Sequence, residues 1–78
     1  MIRKEKRLIT TFYTTHDAMA FEEYCLENDI PGRLIPLPGE ISAGCGLAWS
    51  SPTEEEESFK RAIPESGVRP QGMHKIYI

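Results

Sequence analysis

The sequence predicts an α+β fold, a four-stranded antiparallel sheet with two helices on one face, in the order β-α-β-β-α-β. Three observations carry this reading. A β-branched and aromatic run, Leu8–Tyr13, opens the chain, and Ala18, Phe21, Tyr24 and Cys25 then recur at helical spacing. Two short β-forming runs flank a loop rich in proline and glycine. A second capped helix and a weakly alternating terminal run follow. With 78 residues there is room for one domain. Its boundaries are read as a basic arm over residues 1–7 and a single domain over 8–78. A chain this short buries only roughly 60–65% of its unfolded surface, so each element must be well specified.

Each element has a local cause. After the first strand, Thr14 or Thr15 is placed to cap a helix; with Thr14 as the cap, Asp17 falls three residues on, at the positive helix end. The helix runs to about Asn28, with Ala18, Phe21, Tyr24, Cys25 and Asn28 inward and Glu22, Glu23 and Glu27 towards water. Asn28-Asp29 and then Pro31-Gly32 stop it. Arg33–Leu37 reads as the second strand and Gly46–Ser50 as the third. Ser51-Pro52-Thr53-Glu54 carries a start signature for the second helix: a serine cap, proline at the first helical position and an acid three residues beyond the cap. Phe59, Ala62 and Ile63 form its inward side, and Pro64 and Gly67 end it. Met73–Ile78 supplies the fourth strand. With a hairpin in the middle, this order is the ferredoxin-like split βαβ arrangement. It brings the turn at Thr14–His16, the loop at Pro38–Cys45 and the connection at Ser66–Pro70 to one end.

Charge and composition exclude several classes. The formal charge is −3, but residues 3–7 hold four cations and one acid, leaving the rest of the chain with a net −6. An acidic body argues against nucleic-acid binding. No apolar run approaches a membrane span, and the N-terminus lacks the apolar core of a signal peptide, so no membrane association and a cytoplasmic location are expected. Cys25, Cys45, His16 and His74 lack zinc-site spacing, so no metal is expected; nor is a cofactor, since no phosphate-binding glycine loop opens a helix. The acidic run Glu54–Glu57 is read as a solvated helix N-terminus.

The chemistry concentrates in Ile35-Pro-Leu-Pro-Gly-Glu-Ile-Ser-Ala-Gly-Cys-Gly-Leu-Ala48. Pro36 and Pro38 stiffen the exit from the second strand. Gly44 and Gly46 permit turning at positive φ and close approach from outside, and between them stands Cys45. A thiolate is the reactive form of cysteine, and loop amides or a nearby helix N-terminus would stabilise it, or the terminal atom of a persulfide or perselenide. Ser42 either donates a hydrogen bond to that anion or holds the loop through its backbone. His16, at the helix start, is a candidate thiolate partner or an exposed terminal residue. Cys25 falls on the apolar helix face, and Trp49 and Tyr13 read as packing residues.

Phe12, Thr15-His16-Asp17-Ala18, Glu22, Leu34-Ile-Pro-Leu-Pro38 and Ile41-Ser-Ala-Gly-Cys-Gly-Leu47 together resemble a family of small domains described as selenium/sulfur carrier-like. The likeness covers nearly the whole chain and preserves the spacing from Pro36 to Cys45. It implies a carrier that takes sulfur or selenium from a donor protein and passes it to an acceptor, rather than a stand-alone enzyme. One departure is Gly39, where relatives tend to carry a basic residue that would favour a thiolate or receive an anion. The rival reading is a non-catalytic interaction or regulatory module, able to pair as a homodimer through its open sheet face or edge strand. A third is a redox switch between Cys25 and Cys45.

Overall fold

A computed structural model describes residues 5–42 and 45–77. Strand β1 (Lys6–Phe12) leads into α1 (Thr15–Glu27), then β2 (Arg33–Pro36) and β3 (Leu47–Pro52). A short 3₁₀ turn (Thr53–Glu55) leads into α2 (Glu56–Ser66), and β4 (Pro70–Tyr77) completes the sheet. The sheet order is β2-β3-β1-β4, with every neighbouring pair antiparallel. This is the predicted α+β, ferredoxin-like arrangement.

Alternation along β1 divides the core in two. Leu8 and Phe12 face the helices, where they pack with Trp49 of β3, Ala18, Phe21 and Cys25 of α1, and Phe59 of α2. Ile9 points the other way and packs with Ala48 and Ile41. Because the strand is buried on both sides from Leu8 to Phe12, β1 is the centre of the molecule rather than a half-exposed strand. The strand also begins earlier than expected, so Lys6 and Arg7, assigned to the basic arm, lie within the sheet. Arg7 donates from Nε to Ser50 Oγ at 3.0 Å.

Helix α1 starts as the sequence indicates. The Thr14 hydroxyl accepts a hydrogen bond from the Asp17 amide at 3.1 Å, satisfying one of the donors left unpaired at a helix start. Asn28 is exposed rather than inward. It closes the helix instead, its side-chain amide donating to the Tyr24 carbonyl at 2.8 Å. Tyr13 is also largely exposed, although its run reads as packing.

The second helix starts later than its capping signature suggests. Ser51 is fully buried in β3 opposite Leu8, and its hydroxyl donates to the Leu8 carbonyl at 3.4 Å. Extending the ladder through Arg7↔Pro52 outweighs a single cap interaction, so proline ends a strand here instead of opening a helix. Pro64 lies inside α2, where in the final turn it removes only one late helical hydrogen bond. Gly67 closes the helix at φ 77°. Two polar links then fix the helices. Glu56 binds Lys75 of β4 at 2.7 Å and Lys60 at 3.1 Å, and the hydrogen bond from Lys75 is the main reason its carboxyl sits below the usual range. Tyr24 donates from its hydroxyl to Glu65 at 3.0 Å, tying α1 to α2.

Candidate functional site

The register places the ends of β1, β2 and α2 together. Thr11 and Ile35 both stand opposite Ala48, and Phe12 is opposite Pro70. The turn into α1, the β2–β3 connection and the turn into β4 therefore share the end predicted for them. At the base of the connection the Leu37 amide donates to the Gly46 carbonyl at 2.9 Å, one step beyond the paired strands.

The connection is more structured than an extended loop. Pro38, Gly39, Glu40 and Ile41 form a tight turn closed by the Ile41 amide donating to the Pro38 carbonyl at 3.0 Å. Pro38 holds the first position of the turn, and Gly39 and Glu40 its two central positions. Ile41 then folds against Ile9 and Ala48 on the sheet face away from the helices, with Leu37 and Ile35 beside it. Cys45 packs on the opposite, helix-side cluster. Ile41 and Cys45 thus pack on opposite faces of the sheet. Ile41, the one large apolar side chain between Pro38 and Cys45, was the available sequence signal for this anchor.

Cys45 is half-buried, and its thiol donates to the Leu47 carbonyl at 3.4 Å. Gly46 has φ +79°, and nothing lies within 4 Å of where its Cβ would be. Glycine there answers the backbone conformation and leaves that side of the cysteine's neighbour open. Pro36 is exposed at the end of β2, Pro38 is half-buried at the turn, and Ser42 is exposed. Gly44 lies outside the described residues. His16 is exposed at the start of α1, where it borders Met19, Ala20 and Glu23 on the helix's outer side.

Cys25 is a different kind of cysteine. It is completely buried in the main core, and burial pushes its thiol up to about 12. Both cysteines are free thiols. Among the described residues, no group of three or more histidine, cysteine, aspartate or glutamate side chains is placed to hold a metal ion. Nor is any described helix long and apolar enough to cross a membrane.

A family model described as "Putative Se/S carrier protein-like" matches residues 7–75. The chain belongs to that family. The match takes in the cysteine loop, both helices and most of β4. No curated protein and no solved structure matches the chain.

The packing gives a direct test of how this carrier-like chain holds its loop. Replacing Ile41 with aspartate is expected to cost about 2–3 kcal/mol, by losing apolar burial and placing a carboxylate over Ile9 and Ala48. The anchored turn should then lift and Cys45 should alkylate several-fold faster, while Cys25 stays protected. Rates and labelling sites read by mass spectrometry check this, and an unchanged rate with unchanged stability would show that Ile41 does not hold the loop.

Proposed function

We propose that the protein is a cytoplasmic carrier that accepts sulfur or selenium on Cys45 and surrenders it to a second protein. The observation that supports this best is the contrast between its two cysteines within a carrier-like family: Cys25 is sealed in the core, while Cys45 is half-exposed beside an open glycine. In the transfer, the Cys45 thiolate attacks the terminal sulfur of a persulfide on the donor protein. A new sulfur–sulfur bond forms at Cys45, the donor's own bond breaks, and the donor cysteine leaves as a thiolate. The Cys45 proton balances that thiolate, and there is no net oxidation. A perselenide on Cys45 forms by the same exchange with selenium as the terminal atom. Ser42 and the loop amides near Gly44 and Gly46 stabilise the anion, Pro36 and Pro38 keep the strand exit stiff, and His16 is the candidate thiolate partner. The thiol must first leave the Leu47 carbonyl, a weak contact that rotation about one side-chain bond breaks.

Incubation with a cysteine desulfurase charged with persulfide, followed by intact-mass measurement, tests the proposal. The native chain should gain one sulfur atom on Cys45, and Cys45→Ala should gain none while melting at nearly the same temperature. Loading of Cys45→Ala, or no loading of the native chain, would overturn it. The packing of Cys45 against the core favours a second reading, an interaction or regulatory module in which this side chain only fills space. On that reading Cys45→Ala keeps full biological activity.

A further inference from the structure

Helix α1 has an inner face that the fold explains and an outer face that it does not. Ala18, Phe21 and Cys25 are buried. On the other side Met19 is 57% exposed and Leu26 is 68% exposed, seven residues and thus two helical turns apart. Glu23 falls between them on the same stripe, four residues after Met19 and three before Leu26. These side chains border an open trough of ≈ 420 Å³, with His16 at one end, Glu27 at the other and Ala20 and Glu22 alongside.

The charges on this face are locally unfavourable. The helix holds Asp17, Glu22, Glu23 and Glu27 and no lysine or arginine. Asp17 is well placed at the positive end, but Glu27 is the last helical residue, at the negative pole, and no basic residue stands in that turn. Glu23 and Glu27 are also like charges at i, i+4, a spacing that destabilises a helix. Among the described residues, none of Glu22, Glu23 and Glu27 forms an ion pair. A helix selected only to fold would favour lysine or arginine at such positions.

We propose that the outer face of α1 is a docking surface for a basic amphipathic helix of a partner protein. The partner carries apolar residues two turns apart, which cover Met19 and Leu26, and lysine or arginine in the turn between and beside them, facing Glu22, Glu23 and Glu27. Cationic side chains there relieve both the like-charge repulsion and the mismatch with the helix dipole. A second copy of the chain presenting its own α1 would instead bring three acids against three. The surface does not depend on the chemistry of Cys45.

The test uses a synthetic helical peptide with leucines seven residues apart and lysines between and beside them, and a control peptide with glutamate at each lysine position. Binding to the full chain is followed by fluorescence anisotropy and mapped by amide shifts in NMR spectra. The lysine peptide should bind, shift residues of α1 and weaken with added salt, and the glutamate peptide should not bind. Leu26→Lys and Glu23→Lys should each weaken binding roughly tenfold while leaving the melting temperature nearly unchanged. No binding, shifts confined to other elements, equal binding of both peptides, or unaltered affinity in both variants would overturn the proposal. Self-association of the free chain that is lost in Leu26→Lys would also overturn it, assigning the face to a second copy. None of these readouts involves sulfur transfer, so failure here leaves the carrier reading untouched, and failure to load Cys45 leaves this surface untouched.

Discussion

Gly32→Ala is expected to remove roughly 3 kcal/mol or more of stability, a large effect for the smallest substitution available. Two separate causes act at that position. The backbone lies at φ +138°, which a residue with a side chain rarely adopts. A Cβ there would also lie 2.5 Å from the Trp49 indole nitrogen and 2.6 Å from the Ser50 carbonyl oxygen. Neither neighbour can yield easily, because Trp49 is buried in the main core and Ser50 is paired on both sides within the sheet. The close approach seats β2 beside β3, and the exit from β2 carries the cysteine loop.

Two other glycines make the measurement decisive. Gly46→Ala meets an unfavourable φ of +79° but open space, so about 1 kcal/mol is expected. Gly39→Ala meets open space without positive φ and should change stability by less than about 0.5 kcal/mol. Denaturant midpoints for the three variants separate crowding from backbone strain. A Gly32→Ala midpoint close to that of Gly46→Ala would show that β2 can move away from Trp49. The open surroundings of Gly39 also mean that a basic side chain fits this turn without disturbing it.

Legibility differed from element to element for physical reasons. The α1 cap was readable because Thr14 and Asp17 are in local contact, and local contacts are written in consecutive residues. The start of α2 was misread because an equally local signature, Ser51 to Glu54, competes with non-local pairing to β1, which no short window contains. The thiol loop announced itself through glycine and proline, and both cysteines were separable in advance because helical spacing alone places Cys25 on an inward face. That Ile41 and Cys45 pack on opposite faces of the sheet was not separable in advance. It depends on Ile41 finding Ile9 and Ala48, more than thirty residues away in one case and on a different strand in each. The two exposed apolar residues of α1 stayed hidden for a related reason: a helix dense in apolar and acidic residues does not declare which apolar ones the sheet will leave uncovered.

Phe21 is where those elements meet, and Phe21→Ala is expected to destabilise the chain by about 3–5 kcal/mol. Its ring lies 5.6 Å from that of Phe12 in β1, 5.9 Å from Trp49 in β3 and 5.2 Å from Phe59 in α2. The last two contacts are edge-on, the geometry that aligns the positive ring edge with a negative face. One side chain thereby joins α1 to both central strands and to the other helix. A domain of this size has a total stability of roughly 4–12 kcal/mol, so the variant should lose a quarter of it or more. Phe21→Leu, which keeps much of the volume, should lose about 1–2 kcal/mol, and Leu26→Ala on the exposed face should change little. Cys45 packs against the same cluster, so under conditions where Phe21→Ala remains folded its alkylation should also accelerate. Loss of less than about 1 kcal/mol in Phe21→Ala would show that the aromatic neighbours close over the gap. Full destabilisation with an unchanged Cys45 rate would show that the loop keeps its own anchor on the opposite face, through Ile41, independently of the core beneath the thiol.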